Sequence, residues 1–113
     1  MIEIHAVTDD DGRIVVPEWL ARAEAVHRQL RPQLATDYAA CMRAVFEAGG
    51  RMIVAIRDGQ VAGVGVWRFL LKTVAGLELY VDDLVTDEGR RSSGVGHAML
   101  EWLEEQARAR GCA

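Results

Sequence analysis

Apolar residues change their spacing along this chain, and each change marks an element. In "IEIHAV" (2–7) they alternate with polar residues well enough for a first strand, and "TDDDGR" (8–13) is a turn-rich connection. Pro17 suits the first turn of a helix, where its missing N–H costs nothing. Behind it Leu20, Ala23, Val26, Leu30 and Leu34 recur near helical spacing, with Pro32 breaking the run. A second helix is expected over 36–48. Thr36 or Asp37 would cap it, Ala39, Met42, Val45 and Phe46 would form one face, and Gly49-Gly50 would end it. The period then drops to two. "RMIVAIR" (51–57), Asp58-Gly59 and "QVAGVGVWRFL" (60–70) read as a hairpin with a favoured two-residue turn. "LELYVDDLVT" (77–86) is the next strand, with Leu77, Leu79 and Val81 on one side and Glu78, Tyr80 and Asp82 on the other. Val95, Met99, Trp102, Leu103 and Ala107 mark the face of a last helix, closed by Gly111.

The order strand, helix, helix, strand, strand, strand, helix predicts a mixed α/β layer, with helices packed on an antiparallel sheet. At 113 residues the chain is expected to be one domain, 1–113, large enough for a modest core. The net charge of −4 argues against a nucleic-acid surface as the main function. No apolar run approaches the roughly 20 residues of a membrane helix, and "MIEIHAVTDDD" lacks the basic start and apolar core of a signal peptide. Cys41 and Cys112 lack metal-ligand spacing, which fits a reducing cytoplasmic setting and buried or terminal thiols. His5, His27 and His97 are scattered and form no ligand set, so no metal site is expected. Trp19, Trp67 and Trp102 read as core or groove-lining aromatics.

Chemistry is expected at the joint between the last strand and the last helix, "DEGRRSSGVGHAML" (87–100). The first turn of a helix carries N–H groups without intrahelical partners, and the macrodipole adds partial positive charge there. Gly94 and Gly96 let an anion approach that backbone, Arg90 and Arg91 add full positive charge, and Ser92 and Ser93 can cap the helix or donate to the same anion. An ordinary capped helix with a glycine-rich start reads equally well from these residues. A dinucleotide fingerprint does not, because the third glycine and a preceding parallel unit are missing, and no Gly-Lys-Ser/Thr follows for a P-loop.

The stretch "DLVTDEGRRSSGVGHAMLEWLEEQARARGC" resembles the acetyl-CoA signature of the GNAT N-acetyltransferases. That signature is a strand, then Arg or Gln, two variable residues, Gly, one residue, Gly or Ala, and a helix. Arg91, Gly94 and Gly96 match it in order and spacing. The likeness extends through "LYVDD" and the element order to nearly the whole chain.

The resemblance implies a GNAT-like fold ordered β-α-α-β-β-β-α, and acetyl transfer from acetyl-CoA to a primary amine of a small molecule or a protein. It places the pyrophosphate of coenzyme A on the amides of Ser92, Ser93, Gly94, Val95, Gly96 and His97, with Arg91 holding the loop or meeting a phosphate. Leu84, Val85 and Thr86 would run along the pantetheine arm, and a backbone N–H there would polarise the thioester carbonyl. The attacking amine must be neutral, so a base or water chain is needed. Asp82 is the candidate, two residues before Leu84 and on the same face if the strand is regular. A solvated strand end is the plainer reading of Asp82 and Asp83.

The family continues past the signature helix with a further strand, a helix that often carries a catalytic tyrosine, and a closing strand pair. This sequence stops at "RGCA", where that next strand is expected, so a C-terminally truncated version of the fold is anticipated. Strand 77–86 would then present an open edge, and a homodimer through that edge or the last helix is expected. The alternative to an enzyme is a non-catalytic fragment that binds coenzyme A or serves as a dimerising module. No sequence feature names the amine acceptor, since aspartates in the 8–13 turn are most simply solvated.

Overall fold

A computed structural model describes residues 1–91 and 93–112 of the chain. The strands are β1 (Ile2–Ala6), β2 (Arg51–Arg57), β3 (Gln60–Lys72) and β4 (Gly76–Thr86), and the helices are α1 (Pro17–Leu30), α2 (Tyr38–Glu47) and α3 (Val95–Ala109). Their order is the one the periodicity predicts. Pro17 occupies the first turn of α1, which ends at Leu30, ahead of Pro32, so Leu34 lies outside the helix. Asp37 rather than Thr36 caps α2, its carboxylate accepting from the Ala40 N–H at 3.0 Å. Asp58 and Gly59 both have positive φ, 54° and 74°, the backbone sign that a type I′ turn between β2 and β3 requires.

The sheet is antiparallel throughout, in the order β1-β2-β3-β4. Helices α1 and α2 cover one face and α3 the other. Leu20, Ala23, Val26, Tyr38, Met42 and Phe46 pack on Met52, Val54, Val64 and Val66. On the opposite face Val95, Met99 and Leu103 pack on Ile53, Ala55 and Trp67. Burial on both faces explains why "RMIVAIR" is a nearly unbroken apolar run rather than a clean alternation.

Two glycines of β3 make room for their neighbours, Gly63 for α3 and Gly65 for the Ile53 side chain of β2. A Cβ on Gly63 would stand 2.7 Å from both Val95 Cγ1 and Met99 Cε, and one on Gly65 would stand 3.0 Å from Ile53 Cγ1. The first turn of α3 is therefore seated against bare backbone, which fixes where the preceding loop must end.

Strand β4 is not regular. Val66 opposes Asp83 while Trp67 opposes Val81, which leaves Asp82 as an extra residue on β4. The expected alternation holds through Val81 and then shifts. Asp82 turns to Arg68, Asp83 turns to α1, and Leu84 joins the core beneath α3. The sharing of one face by Asp82 and Leu84, expected for a regular strand, is thus overturned by the bulge.

Asp83 is the centre of a polar cluster that ties three elements together. Its Oδ2 lies 2.8 Å from His27 Nε2 on α1, its Oδ1 accepts from Arg31 Nε at 2.9 Å, and His27 Nδ1 lies 2.7 Å from the Tyr38 hydroxyl on α2. In the Nε2–H tautomer the imidazole donates to Asp83 and accepts the Tyr38 O–H, so the buried ring is fully paired. Burial pushes the Asp83 carboxyl up. The hydrogen bonds and charges of His27 and Arg31 outweigh that and hold it below the ordinary carboxylate range. Burial, reinforced by the Glu24 carboxylate, pushes the Tyr38 phenol up, so it remains an O–H donor.

Two outcomes follow. Gly63→Ala should cost about 1–3 kcal/mol of stability by overpacking against Val95, read as a lower urea midpoint. Because the folded pKa of Asp83 is depressed, its ionised form stabilises the fold above the unfolded value near 3.9, and that contribution is lost as pH falls through the folded value. The stability difference between the parent chain and Asp83→Asn, measured by thermal melts, should therefore be largest near neutrality and shrink below about pH 4.

Candidate cofactor loop and sheet edge

The segment after β4 turns the chain into α3 through a short, internally bonded loop. Asp87 starts a short 3₁₀ turn, Glu88–Arg90, with the Arg90 N–H closing on the Asp87 carbonyl at 2.8 Å. Ser93 Oγ donates to the Arg90 carbonyl, and Arg57 Nη1 donates to the Ser93 carbonyl at 3.4 Å. Gly94 then takes φ 87°, a left-handed conformation that turns the chain into α3 and that a side chain would strain. Its glycine identity is thus required by the turn as well as by access.

Among the described residues no side chain caps α3. The Ala98 N–H is the one that closes on the Gly94 carbonyl, at 3.0 Å, so the N–H groups of Val95, Gly96 and His97 lack intrahelical acceptors. Ser93, a predicted capping residue, is engaged within the loop, while Ser92 lies outside the described residues. A Cβ on Gly96 would meet Thr86 Oγ1 at an ordinary 3.6 Å, which places the first turn of α3 directly beside the end of β4. The two arginines part company. Arg90 is paired with Asp58 at 3.6 Å and Asp87 at 3.8 Å, whereas Arg91 is exposed and has no ion-pair partner among the described residues. His97 is exposed and pairs with Glu101 on its own helix.

Beside the loop, β4 is hydrogen-bonded on one edge, to β3. The Asp87 N–H donates to the Ala62 carbonyl at 2.8 Å, so by the two-residue alternation of an antiparallel ladder Val85 also bonds inward, opposite Val64. The N–H groups of Leu84 and Thr86 consequently face the open edge, and that of Val85 does not. Among the three predicted strand residues, two offer backbone to the edge, and buried Val85 supports them from the α1 side.

The two aspartates of β4 are both engaged. Arg68 Nε donates to Asp82 Oδ2 at 2.7 Å, and Asp83 is held by His27 and Arg31. His27 went unrecognised in the sequence because its partner is 56 residues away and its spacing matches an apolar helix face. Arg57 and Gln29 were missed for the same reason: each meets the loop only through the fold. Among the described residues no group of three or more metal-ligating side chains assembles, and no helix is long and apolar enough to cross a membrane.

A sequence model of the Acetyltransferase (GNAT) family matches residues 13–113. No curated protein sequence matches the chain. Among solved structures, a Trypanosoma brucei acetyltransferase superposes with a TM-score of 0.73 at 23% identity, over 99% of this chain and 78% of that one. The structure of AAC(6')-Iy with a bisubstrate analogue, CoA-S-monomethyl-acetylneamine, gives 0.77 at 16% identity, over 99% and 75% of the two chains. A ribosomal-protein-alanine N-acetyltransferase from Brucella melitensis biovar Abortus gives 0.72 at 18% identity, over 100% and 76%. These structural likenesses speak to the fold, and the family match extends from the turn before α1 to the end of the chain. A glycine-entered helix beside an open strand edge is thus found in a chain that belongs to the GNAT acetyltransferase family.

Proposed function

We propose that the chain binds acetyl-CoA at the α3 N-terminus and the open edge of β4 and transfers its acetyl group to a primary amine of a small molecule or a protein. The observation that carries this reading is the run of amides from Val95 to His97, without acceptors among the described residues, next to the outward N–H groups of Leu84 and Thr86. The fit is sound on chemical grounds. Three amides, the positive end of a 15-residue helix and the exposed Arg91 suit the pyrophosphate. An extended edge with two free N–H groups suits the amide-bearing pantetheine arm. Acetyl-CoA supplies the activated acyl group as a thioester.

Within this reading the roles divide by position. Ser92, Ser93, Gly94, Val95, Gly96 and His97 offer backbone to the pyrophosphate, and Leu84, Val85 and Thr86 form the wall along the arm. The Leu84 N–H, preorganised by the ladder, donates to the carbonyl oxygen as the amine nitrogen attacks and the C–S bond breaks. Asp82 is the candidate acceptor of the amine proton, by way of water, with Arg68 orienting it. The bulge sets Asp82 on the opposite face from Leu84, so a water relay rather than direct contact suits the geometry. A non-catalytic role in binding coenzyme A is the second reading, favoured by the arginine partners of both Asp82 and Asp83. A homodimer through the β4 edge or α3 belongs to the proposal, as does a cytoplasmic setting, which the two free, partly buried thiols of Cys41 and Cys112 support.

Titration calorimetry with coenzyme A tests the cofactor assignment. Gly96→Val, at a helical position where a Cβ meets only ordinary van der Waals contact, should weaken binding about tenfold or more by blocking backbone approach, and Gly94→Val should do so with added strain. His97→Ala should stay within about twofold. Equal effects at Gly96 and His97 would refute the placement. Release of free thiol from acetyl-CoA, dependent on an added amine, separates the enzyme from the binding module. Sedimentation equilibrium should show a species of twice the 12.5 kDa chain mass, and a strict monomer at high concentration would refute the dimer.

A further inference from the structure

Helix α1 grips β4 and its loop at two places. Downstream of the outward-facing segment, the Gln29 carboxamide makes a reciprocal pair of hydrogen bonds: Nε2 donates to Asp87 Oδ1 at 2.8 Å, and Oε1 accepts from the Glu88 N–H at 2.9 Å. Upstream, His27 and Arg31 hold the two oxygens of Asp83. The three residues between, Leu84 to Thr86, are the ones whose edge is open. Gln29 is exposed and lies on a flank of α1 away from the buried His27, so burial does not account for its orientation. Both its partners belong to the first turn of the loop, where the Asp87 carbonyl also starts the 3₁₀ turn. With Gln29 in place, Asp87 is fixed by Gln29 at one oxygen and faces Arg90 with the other.

We infer that Gln29 is a positioning residue for the cofactor loop: it touches no reacting atom, but sets the path by which the chain passes from the β4 edge to the unpaired amides of α3. This inference rests on the reading of that loop as the coenzyme A site. Its mechanism is preorganisation. A loop held in its binding conformation before the ligand arrives loses less freedom on binding, so losing the clamp lowers affinity without removing a ligand contact. It also makes α1, the helix above the face that carries Asp82 and Asp83, a mechanical link between that face and the phosphate end of the site.

The polarity of the two bonds supplies the test. Gln29→Glu keeps an acceptor for the Glu88 N–H but sets a carboxylate against Asp87, whereas adding Asp87→Asn restores a donor opposite it and returns the total charge to that of the parent. Two measurements on the 113-residue chain are needed. Without ligand, amide hydrogen exchange should show the Glu88 N–H protected in the parent, exposed in Gln29→Glu and reprotected in the double variant. With coenzyme A, the dissociation constant should rise about tenfold in Gln29→Glu, the scale of one or two lost hydrogen bonds, and return to within about threefold in the double variant. A generally structural role would lower the melting temperature and would not be reversed by the swap. Parent-like affinity in Gln29→Glu, or no recovery in the double variant, overturns the positioning role while leaving the loop assignment intact. Failure of the parent to bind coenzyme A refutes the loop assignment and the positioning role together, with the exchange pattern still reporting whether the clamp exists.

Discussion

A strand at the edge of a sheet has backbone partners on one side, and its outer half must be held by its side chains. That constraint governs β4. Leu79, Val81 and Leu84 anchor it beneath α3, Val85 anchors it beneath α1, and Asp83 fastens it to His27 and Arg31. The Asp83 cluster is costly to assemble, since a carboxylate and an imidazole leave water together. It is tolerated because each buried polar atom finds a partner. The outcome is an edge that stays extended and unobstructed without a neighbouring strand to iron it flat.

The bulge at Asp82 serves the same end. One extra residue lets two consecutive acids turn away from the α3 core, each toward its own arginine, and returns Leu84 to the apolar side in time to enter the loop. Across the sheet, Gly63 does the complementary work by removing side-chain bulk, so that Val95 sits directly on β3 backbone. The start of α3 and the end of β4 therefore converge from opposite constraints, one from packing and one from paired charge.

Much of this was legible in the sequence because it is local. The Asp58-Gly59 turn, Pro17 at the start of α1, the glycines around α3 and the helical period of Val95, Met99 and Leu103 all depend on residues a few positions apart. What escaped is non-local or depends on a count the sequence does not display. Nothing in "LYVDDLV" announces that Asp82 is unpaired in the ladder, since a bulge is set by how β3 and β4 settle on their two cores. His27 sits at a spacing suited to an apolar face, and its polar role appears only when Asp83 and Tyr38 arrive from other elements. Gln29 and Arg57 are ordinary surface residues until the loop folds over them. The loop's residue types could be read, but not what holds the loop in shape.

The sheet order has a kinetic side. β2, β3 and β4 form a meander of successive hairpins, closed by short turns at residues 58–59 and 73–75. β1 meets β2 through pairs such as Ala6 with Ile53, after both intervening helices have been gathered in. Closing that longer span costs more chain entropy and returns it only once α1 and α2 have something to pack on. The meander is thus the local part of the sheet, and β1 is the strand whose pairing carries the larger closure cost. Its first residue, Ile2, lies closest to the point where a Cβ on Gly94 would stand, at 3.9 Å. The turn into α3 is thus flanked by a strand from the other end of the chain, and the anion-facing amides take their place only beside a long-range contact.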